Sequence, residues 1–282
     1  MNIAKTIKET RQIVQQWKNE NLTIGFVPTM GYLHEGHASL IRRAAEENDR
    51  VVVSVFVNPI QFGPSEDLDK YPRDIEMDKR ICEANGAHLI FVPGVDELYP
   101  FGFSTYVDVE GTSKGLCGGS RPGHFRGVCT VVAKLFHIVQ PDSAFFGMKD
   151  AQQLAVIRRM TEDLCFPVRI VGCPIVRESD GLALSSRNNY LNDVERKAAL
   201  CLSQGLDEGL RLIENGERNT HVIKSAVRKK IEQEPLARVD YVEAVDPNTI
   251  QGIDYIKESI LCAVAVFIGN TRLIDNFIWE EA

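Results

Sequence analysis

The run "RVVVSVFVN" (50–58) constrains the fold more than any other segment. A strand with one wet face alternates apolar and polar residues, whereas an unbroken β-branched run belongs to a strand covered on both faces. The neighbouring segments supply the cover. "TIGFVPT" (23–29) reads as a buried strand, and "EGHASLIRRAAEEN" (35–48) carries a helical stripe of Leu40, Ile41, Ala44 and Ala45. "DIEMDKRICEANG" (74–86) reads as a helix stopped by Asn85-Gly86, and "AHLIFVP" (87–93) as a third strand. Beyond a Gly-rich loop, "GVCTVVAKLFHIVQ" (127–140) predicts a helix, "PDSAFFG" (141–147) a strand, "DAQQLAVIRRMTEDL" (150–164) a helix and "VRIVGCPIV" (168–176) a strand. This alternation predicts an α/β, Rossmann-like parallel sheet with helices on both faces and right-handed crossovers.

From about residue 177 the grammar changes. A loop, "RESDGLALSSRNNYLND", leads to helical stretches at 194–215 and 220–233, then strand-like runs at 239–245, 259–269 and 271–279. Helices followed by strands predict a smaller α+β domain, so the boundary is expected between 1–176 and 177–282. The 282 residues are ample for two such cores.

Composition excludes several classes. The net charge of −7, without basic runs, argues against nucleic acid as the main partner. No apolar stretch approaches the roughly 20 residues of a spanning helix, and the start "MNIAKTIKETRQIVQQWKNEN" is a charged amphipathic pattern rather than a signal peptide. The seven cysteines form no C-x-x-C and no zinc spacing, which fits free thiols packed as small hydrophobes. The expectation is a cytoplasmic protein without a membrane partner.

Chemistry-bearing residues fall just after predicted strands, where open parallel sheets bind ligands. In "FVPTMGYLHEGHASL" (26–40), His34 and His37 stand three apart at a helix start and share a face. The free N–H groups and positive dipole end of that turn suit an anion, and imidazoles beside it can bond phosphate oxygens. A metal pair is the alternative, though helical zinc motifs favour an i, i+4 spacing. "VNPIQFGPSEDLDKYPRD" follows the second strand and offers the uncharged amides of Asn58 and Gln61, suited to hydroxyl and carboxylate recognition. "SRPGHFRG" brings Arg121, His124 and Arg126 close, as an anion-facing flap or as surface charge. "FFGMKDAQQL" ends a strand with Gly147 and opens a helix with Met148, Lys149 and Asp150. Lysine is a point charge for phosphate, an Asp can accept from ribose hydroxyls, and one of Gln152 and Gln153 is expected to face a ligand. "GLALSSRNNYL" holds Ser185, Ser186 and Arg187, suited to a triphosphate, although alone it reads as a solvated loop with an N-cap serine.

In this order the segments "PTMGYLHEGHASLI", "VSVFVNPIQFGPSEDLDKYPRD", "RPGHFRGV", "FFGMKDAQQL" and "GLALSSRNNYL" resemble the pantoate–β-alanine ligase (pantothenate synthetase) family over nearly the whole chain. The HEGH and LSSR pieces also resemble the two ATP signatures of the wider HxGH nucleotidyltransferase and class I aminoacyl-tRNA synthetase superfamily. The resemblance implies condensation of pantoate with β-alanine through pantoyl adenylate, consuming ATP with Mg²⁺ and releasing pyrophosphate and AMP. It also implies a C-terminal lid domain and a homodimer. Carried over by position, Met30, Gly31, Tyr32, Leu33, His34, Glu35, Gly36 and His37 resemble an ATP segment, with His37 the catalytic histidine. Gly147, Met148, Lys149, Asp150, Val176, Leu184, Ser185, Ser186 and Arg187 resemble further ATP contacts. Gln61 and Gln153 resemble pantoate ligands, with Asn58 and Arg121 beside them on the substrate side. His34, Lys149 and Arg187 join His37 as charge-neutralising groups. Metal ligands are not identifiable. The chain departs from the family pattern in having Met148 where Glu is usual and Leu184 where Met is common. Two rival readings are a nucleotidylyltransferase that stops at adenylyl transfer and an inactive nucleotide- or RNA-binding module.

Overall fold

The fold is described from a computed structural model, which covers all residues except 65, 67 and 282. Ser65 and Asp67 of the "FGPSEDLDKY" segment therefore lie outside the described residues. The chain divides into two compact units. The first comprises Met1–Glu110, Arg121–Met148 and Val156–Pro174; the second comprises Gly111–Ser120, Lys149–Ala155 and Ile175–Ala282. The short segments 111–120 and 149–155 thus group with the C-terminal body although they precede residue 177.

The first unit opens with β1 (Asn2–Ala4) and α1 (Ile7–Asn19). It continues through β2 (Ile24–Thr29), α2 (Glu35–Glu47), β3 (Arg50–Val55), α3 (Ile75–Ala84), β4 (Leu89–Phe91) and the single turn α4 (Val95–Leu98). The helix α5 (Leu116–Ser120) belongs to the second unit. Then come α6 (His124–Val139), β5 (Ser143–Gly147), α7 (Ala151–Asp163), whose first turn groups with the second unit, and β6 (Arg169–Cys173).

All six strands pair in parallel, in the order β1-β4-β3-β2-β5-β6. The chain runs outward in one direction from β2 to β4 and in the other from β5 to β6. The switch point therefore lies between β2 and β5, where Gly25 pairs with Ser143 and Phe26 with Ala144. Val51, Val52 and Val53 are fully buried, as expected for a strand covered on both faces. Val51 and Val53 pack with Ile41 and Ala44 of α2 and Cys82 of α3. The helix α6 is buried almost all round, because it lies against β2, α1 and the turn after β3.

The strand β1 escaped the sequence reading, since three residues carry no measurable period. The helix that follows it is marked more clearly: Thr6 and Glu9 form a capping box, with Thr6 Oγ1 accepting from Glu9 N–H and Glu9 bonding the Thr6 N–H at 3.0 Å.

The second unit contains α8 (Asp193–Ala198), α9 (Cys201–Glu214), α10 (Thr220–Ile231) and the antiparallel strands β7 (Ala237–Val245), β8 (Ser259–Ile268) and β9 (Thr271–Glu280), ordered β7-β8-β9. One continuous helix over 194–215 is expected from the sequence. The structure instead tightens at 199–200, where Leu200 N–H and Leu202 N–H reach carbonyls three residues back. On β8, Ile260, Cys262, Val264, Val266 and Ile268 join one cluster with α9 and α10, while Leu261 and Ala263 join another with Ala151 and Ala155. Two-residue alternation thus buries both faces of one strand. Two glycines let α9 and α10 approach: a Cβ on Gly205 would lie 2.6 Å from Ile231 Cγ1, and one on Gly209 2.6 Å from Val227 Cγ2.

Six cysteines are buried and Cys165 is exposed. Burial pushes the Cys82, Cys129, Cys201 and Cys262 thiols up to about 12 and that of Cys173 to about 11, so these five pack as hydrophobes rather than serve as nucleophiles. Among the described residues no helix is long and apolar enough to cross a membrane.

Candidate active site

In the first unit, the segment after β2 occupies the carboxyl end of the sheet beside the switch point. Thr29 Oγ1 donates to Ser54 C=O at 2.7 Å and accepts from Gly31 N–H at 3.1 Å. Gly31 and Tyr32 both have left-handed backbones, with φ of 84° and 51°. The turn they form directs the N–H groups of Tyr32 and Leu33 at the Asp78 carboxylate of α3, at 3.1 and 2.7 Å. Leu33 drops into the core, and α2 begins shortly after it, at Glu35.

That helix start is built by the two histidines. His34 is the N-cap, and its Nδ1 accepts the Gly36 N–H at 3.1 Å. His37 Nδ1 accepts the His34 N–H at 3.3 Å, and the two rings lie 4.1 Å apart. Backbone N–H groups only donate, so each Nδ1 presents a lone pair. The proton of each neutral ring therefore sits on Nε2, and both rings present an Nε2–H donor. Glu35 pairs with Arg42.

The second loop, after β3, is a 3-10 turn over Pro59–Gln61. Asn58 is buried, and both ends of its amide are engaged. Its Oδ1 accepts from Tyr99 OH at 2.8 Å, and its Nδ2 donates to Gly127 C=O at 3.1 Å and to Gln61 Oε1 at 3.0 Å. The Gln61 amide donates in turn to Met30 Sδ at 3.0 Å, which ties this turn to the segment after β2. Close approach of α6 makes the arrangement possible: a Cβ on Gly127 would lie 2.5 Å from Ile60 C=O and 2.6 Å from Gln61 Cα.

Arg121 forms a bidentate pair with Glu66, at 2.8 and 2.5 Å, and its Nη1 lies 3.0 Å from His124 Nε2. A guanidinium can only donate, so His124 carries its proton on Nδ1, which donates to Gln61 C=O at 2.9 Å. The "RPGHFR" segment therefore reaches Gln61 through its backbone. Arg126 stacks over Tyr106 at 4.0 Å. Gly147 ends β5, followed by Met148.

The remaining expected residues belong to the second unit. Lys149 and Asp150 complete a 3-10 turn before α7, and Asn276 Nδ2 donates to Lys149 C=O at 2.9 Å. Gln152 is buried: its Nε2 donates to Thr112 C=O and Gly115 C=O, both at 3.1 Å, and its Oε1 accepts from Cys117 N–H at 3.0 Å. Of the two glutamines, Gln153 is the one left half-buried. Val176 and Leu184 face each other across the loop that follows, Leu184 N–H donating to Val176 C=O at 3.0 Å. Arg177 anchors that loop to the buried Asp275 of β9, at 2.6 and 3.0 Å. Ser185 caps the 3-10 turn Ser186–Tyr190, its Oγ accepting from Arg187 N–H at 3.3 Å. Ser186 and Arg187 are half-buried.

Sequence reasoning missed Asp78, Tyr99, Gly127 and Glu66. Asp78 stands in "RDIEMDKR", where nothing distinguishes a buried carboxylate from its exposed neighbours. Gly127 reads from the sequence as the first residue of a helix over 127–140, whereas α6 starts at His124 and places it inside the first turns.

The profile of the family described as Pantoate-beta-alanine ligase matches residues 2–278. The chain belongs to that family. A pantothenate synthetase from Clostridium botulinum (strain Okra / Type B1) is 56% identical over 280 residues, which cover 99% of this chain and 100% of the relative. The crystal structure of pantothenate synthetase from Thermus thermophilus superposes with a TM-score of 0.93 at 46% identity, covering 98% of this chain and 99% of that one. A pantoate-beta-alanine ligase from Francisella tularensis, complexed with beta-gamma ATP and beta-alanine, gives a TM-score of 0.79 at 34% identity, covering 99% of this chain and 97% of that one. The pantoate-beta-alanine ligase fold is thus the fold described above, with its six-stranded parallel sheet and three-stranded antiparallel sheet.

Proposed function

We propose that this chain joins pantoate to β-alanine in two steps driven by ATP. A pantoate carboxylate oxygen attacks the α-phosphorus, the bond to the bridging oxygen breaks, and pyrophosphate leaves. The β-alanine amine then attacks the acyl carbon, loses a proton, and expels AMP. A carboxylate is a poor acyl donor, and adenylation supplies the leaving group. Membership of the ligase family across residues 2–278 carries this reading. The paired histidines at the start of α2 fit it, because both offer neutral Nε2–H donors where a sheet of this kind binds ligands.

In this reading the His34 and His37 Nε2–H groups bond the phosphate oxygens as charge builds during adenylation. Lys149 and Arg187 supply permanent positive charge. Met30–Leu33, Glu35, Gly36, Gly147, Met148, Asp150, Val176, Leu184, Ser185 and Ser186 complete the ATP contacts. Gln61 and Gln153 bind pantoate, with Asn58 acting through Gln61 and Arg121 through Glu66 and His124. Among the described residues no group of three His, Cys, Asp or Glu side chains converges as a protein metal cage requires. Mg²⁺ favours substrate phosphates and water over such cages, and enters here as part of MgATP.

We extend this reading to a cytoplasmic homodimer in which residues 177–282 act as a lid. An acyl adenylate must be kept from water, which gives a closing segment its purpose. The test is incubation with ATP, Mg²⁺ and pantoate, with and without β-alanine. Sustained AMP release is expected with both acid and amine present. A stable adenylylated product released without β-alanine would replace this reading with that of a nucleotidylyltransferase.

A further inference from the structure

Asp78 has no part in the chemistry just described, yet it is 1% exposed, and burial raises its pKa against the opposing hydrogen bonds from Leu33 and Tyr32. The nearby Asp74 adds repulsion rather than a counter-charge. A core position filled for packing alone is better served by an apolar side chain, since a buried carboxylate must recover its lost hydration from hydrogen bonds. Here that return comes from two consecutive N–H groups of the turn between β2 and α2. The same turn holds Gly31 and Tyr32 in left-handed backbone, and a Cβ on Gly31 would lie 3.0 Å from Asp78 Oδ2 and 2.9 Å from Val55 Cγ1. The carboxylate thus grips the turn from inside while Val55 closes it from the sheet.

We propose that Asp78 is a positioning residue that fixes the Gly31–Tyr32 turn and so sets where His34 and His37 meet the nucleotide. This rests on the reading of Met30–His37 as the ATP segment. A carboxylate offers two acceptors to two donors. An amide offers one acceptor, and its NH₂ faces an N–H it cannot bond. With one of its two bonds lost, the turn is free to rotate toward ordinary backbone, which a tyrosine prefers to the left-handed region.

The experiment compares wild type, Asp78→Asn, Asp78→Ser and a control, Val52→Ala, which empties part of the core of β3 away from the turn. Two readouts are taken: hydrogen exchange of the Tyr32 and Leu33 amides, and KM for ATP and for pantoate. Both Asp78 variants are expected to lose protection at those two amides and to raise KM for ATP at least ~10-fold, leaving KM for pantoate within about twofold. Val52→Ala is expected to lower the Tm with both KM values unchanged. Unchanged exchange and ATP KM in the Asp78 variants, an equal kinetic loss in Val52→Ala, or failure of both Asp78 variants to fold would overturn the proposal. A wild type that binds no ATP would overturn the ATP reading of the segment, and the exchange data would still decide whether Asp78 holds the turn.

Discussion

Asn58 Nδ2 donates to Gln61 Oε1 at 3.0 Å, and this contact decides which way the Gln61 amide faces. With Oε1 committed to Asn58, the Gln61 NH₂ is the end turned to Met30. Tyr99 and Gly127 hold Asn58 from behind, so the orientation is set by buried groups rather than by a ligand. Gln61→Ala is expected to weaken pantoate by about 0.5–1.5 kcal/mol, or about 1.5–3 kcal/mol if the amide reaches the carboxylate. Asn58→Ala should weaken pantoate as well, and should lower stability by about 1–3 kcal/mol because the Tyr99 and Gly127 groups lose a buried partner. Steady-state KM values and urea melts separate the two. A rise in KM for ATP alone would remove Gln61 from the pantoate side.

The glutamines at 152 and 153 should behave differently although they are adjacent. Gln152 bonds four backbone groups of the 112–117 segment, so Gln152→Ala should cost stability, each lost bond contributing roughly 1 kcal/mol. Gln153→Ala should leave the melting curve almost unchanged and raise KM for pantoate. The reverse pattern would exchange their roles.

His37→Ala should lower kcat by ~10²–10³, the usual cost of one lost charge-stabilising donor. It also removes the acceptor for His34 N–H, so a smaller loss of helix-start stability, of about 1 kcal/mol, is expected with it. Kinetics and thermal melts on the same preparation give both numbers. Near-normal turnover would take His37 out of the chemistry.

The parallel character of the large sheet, the two-sided burial of β3 and the change to helices followed by strands after residue 177 were legible, because each rests on a pattern repeated over many residues. The polar segments that follow the strands were legible, but their contacts were not. By residue type alone Asn58 and Gln61 are equivalent amides, and the approach of α6 at Gly127 makes one the support of the other. Arg121 read as an anion ligand or surface charge. Its pairing with Glu66 joins residues 55 apart, beyond any local pattern. Asp78 was hidden for the same reason, as its partners Tyr32 and Leu33 lie 46 and 45 residues away.

At Met148 the resemblance drawn from the sequence leads one to expect Glu. Gly147 and the backbone after it are expected to serve the nucleotide, with Lys149 carrying the charge. Lys149→Ala should therefore abolish most adenylate formation, whereas Met148→Glu should leave KM for ATP within a few fold. A flexible thioether fills irregular space without fixing the loop around it, which is why the added carboxylate should change little. A large gain in ATP affinity with Met148→Glu would show that the missing carboxylate matters.

Activation of pantoate by transfer of AMP to its carboxylate is tested most directly by isotope transfer. Pantoate labelled with ¹⁸O in the carboxylate is turned over with ATP and β-alanine, and the products are read in one mass spectrum. One ¹⁸O is expected in the phosphate of AMP and none in pyrophosphate, because the attacking oxygen stays on the α-phosphorus when the amine displaces AMP. Unlabelled AMP, or label found in inorganic phosphate alongside ADP, would contradict adenylation of the acid.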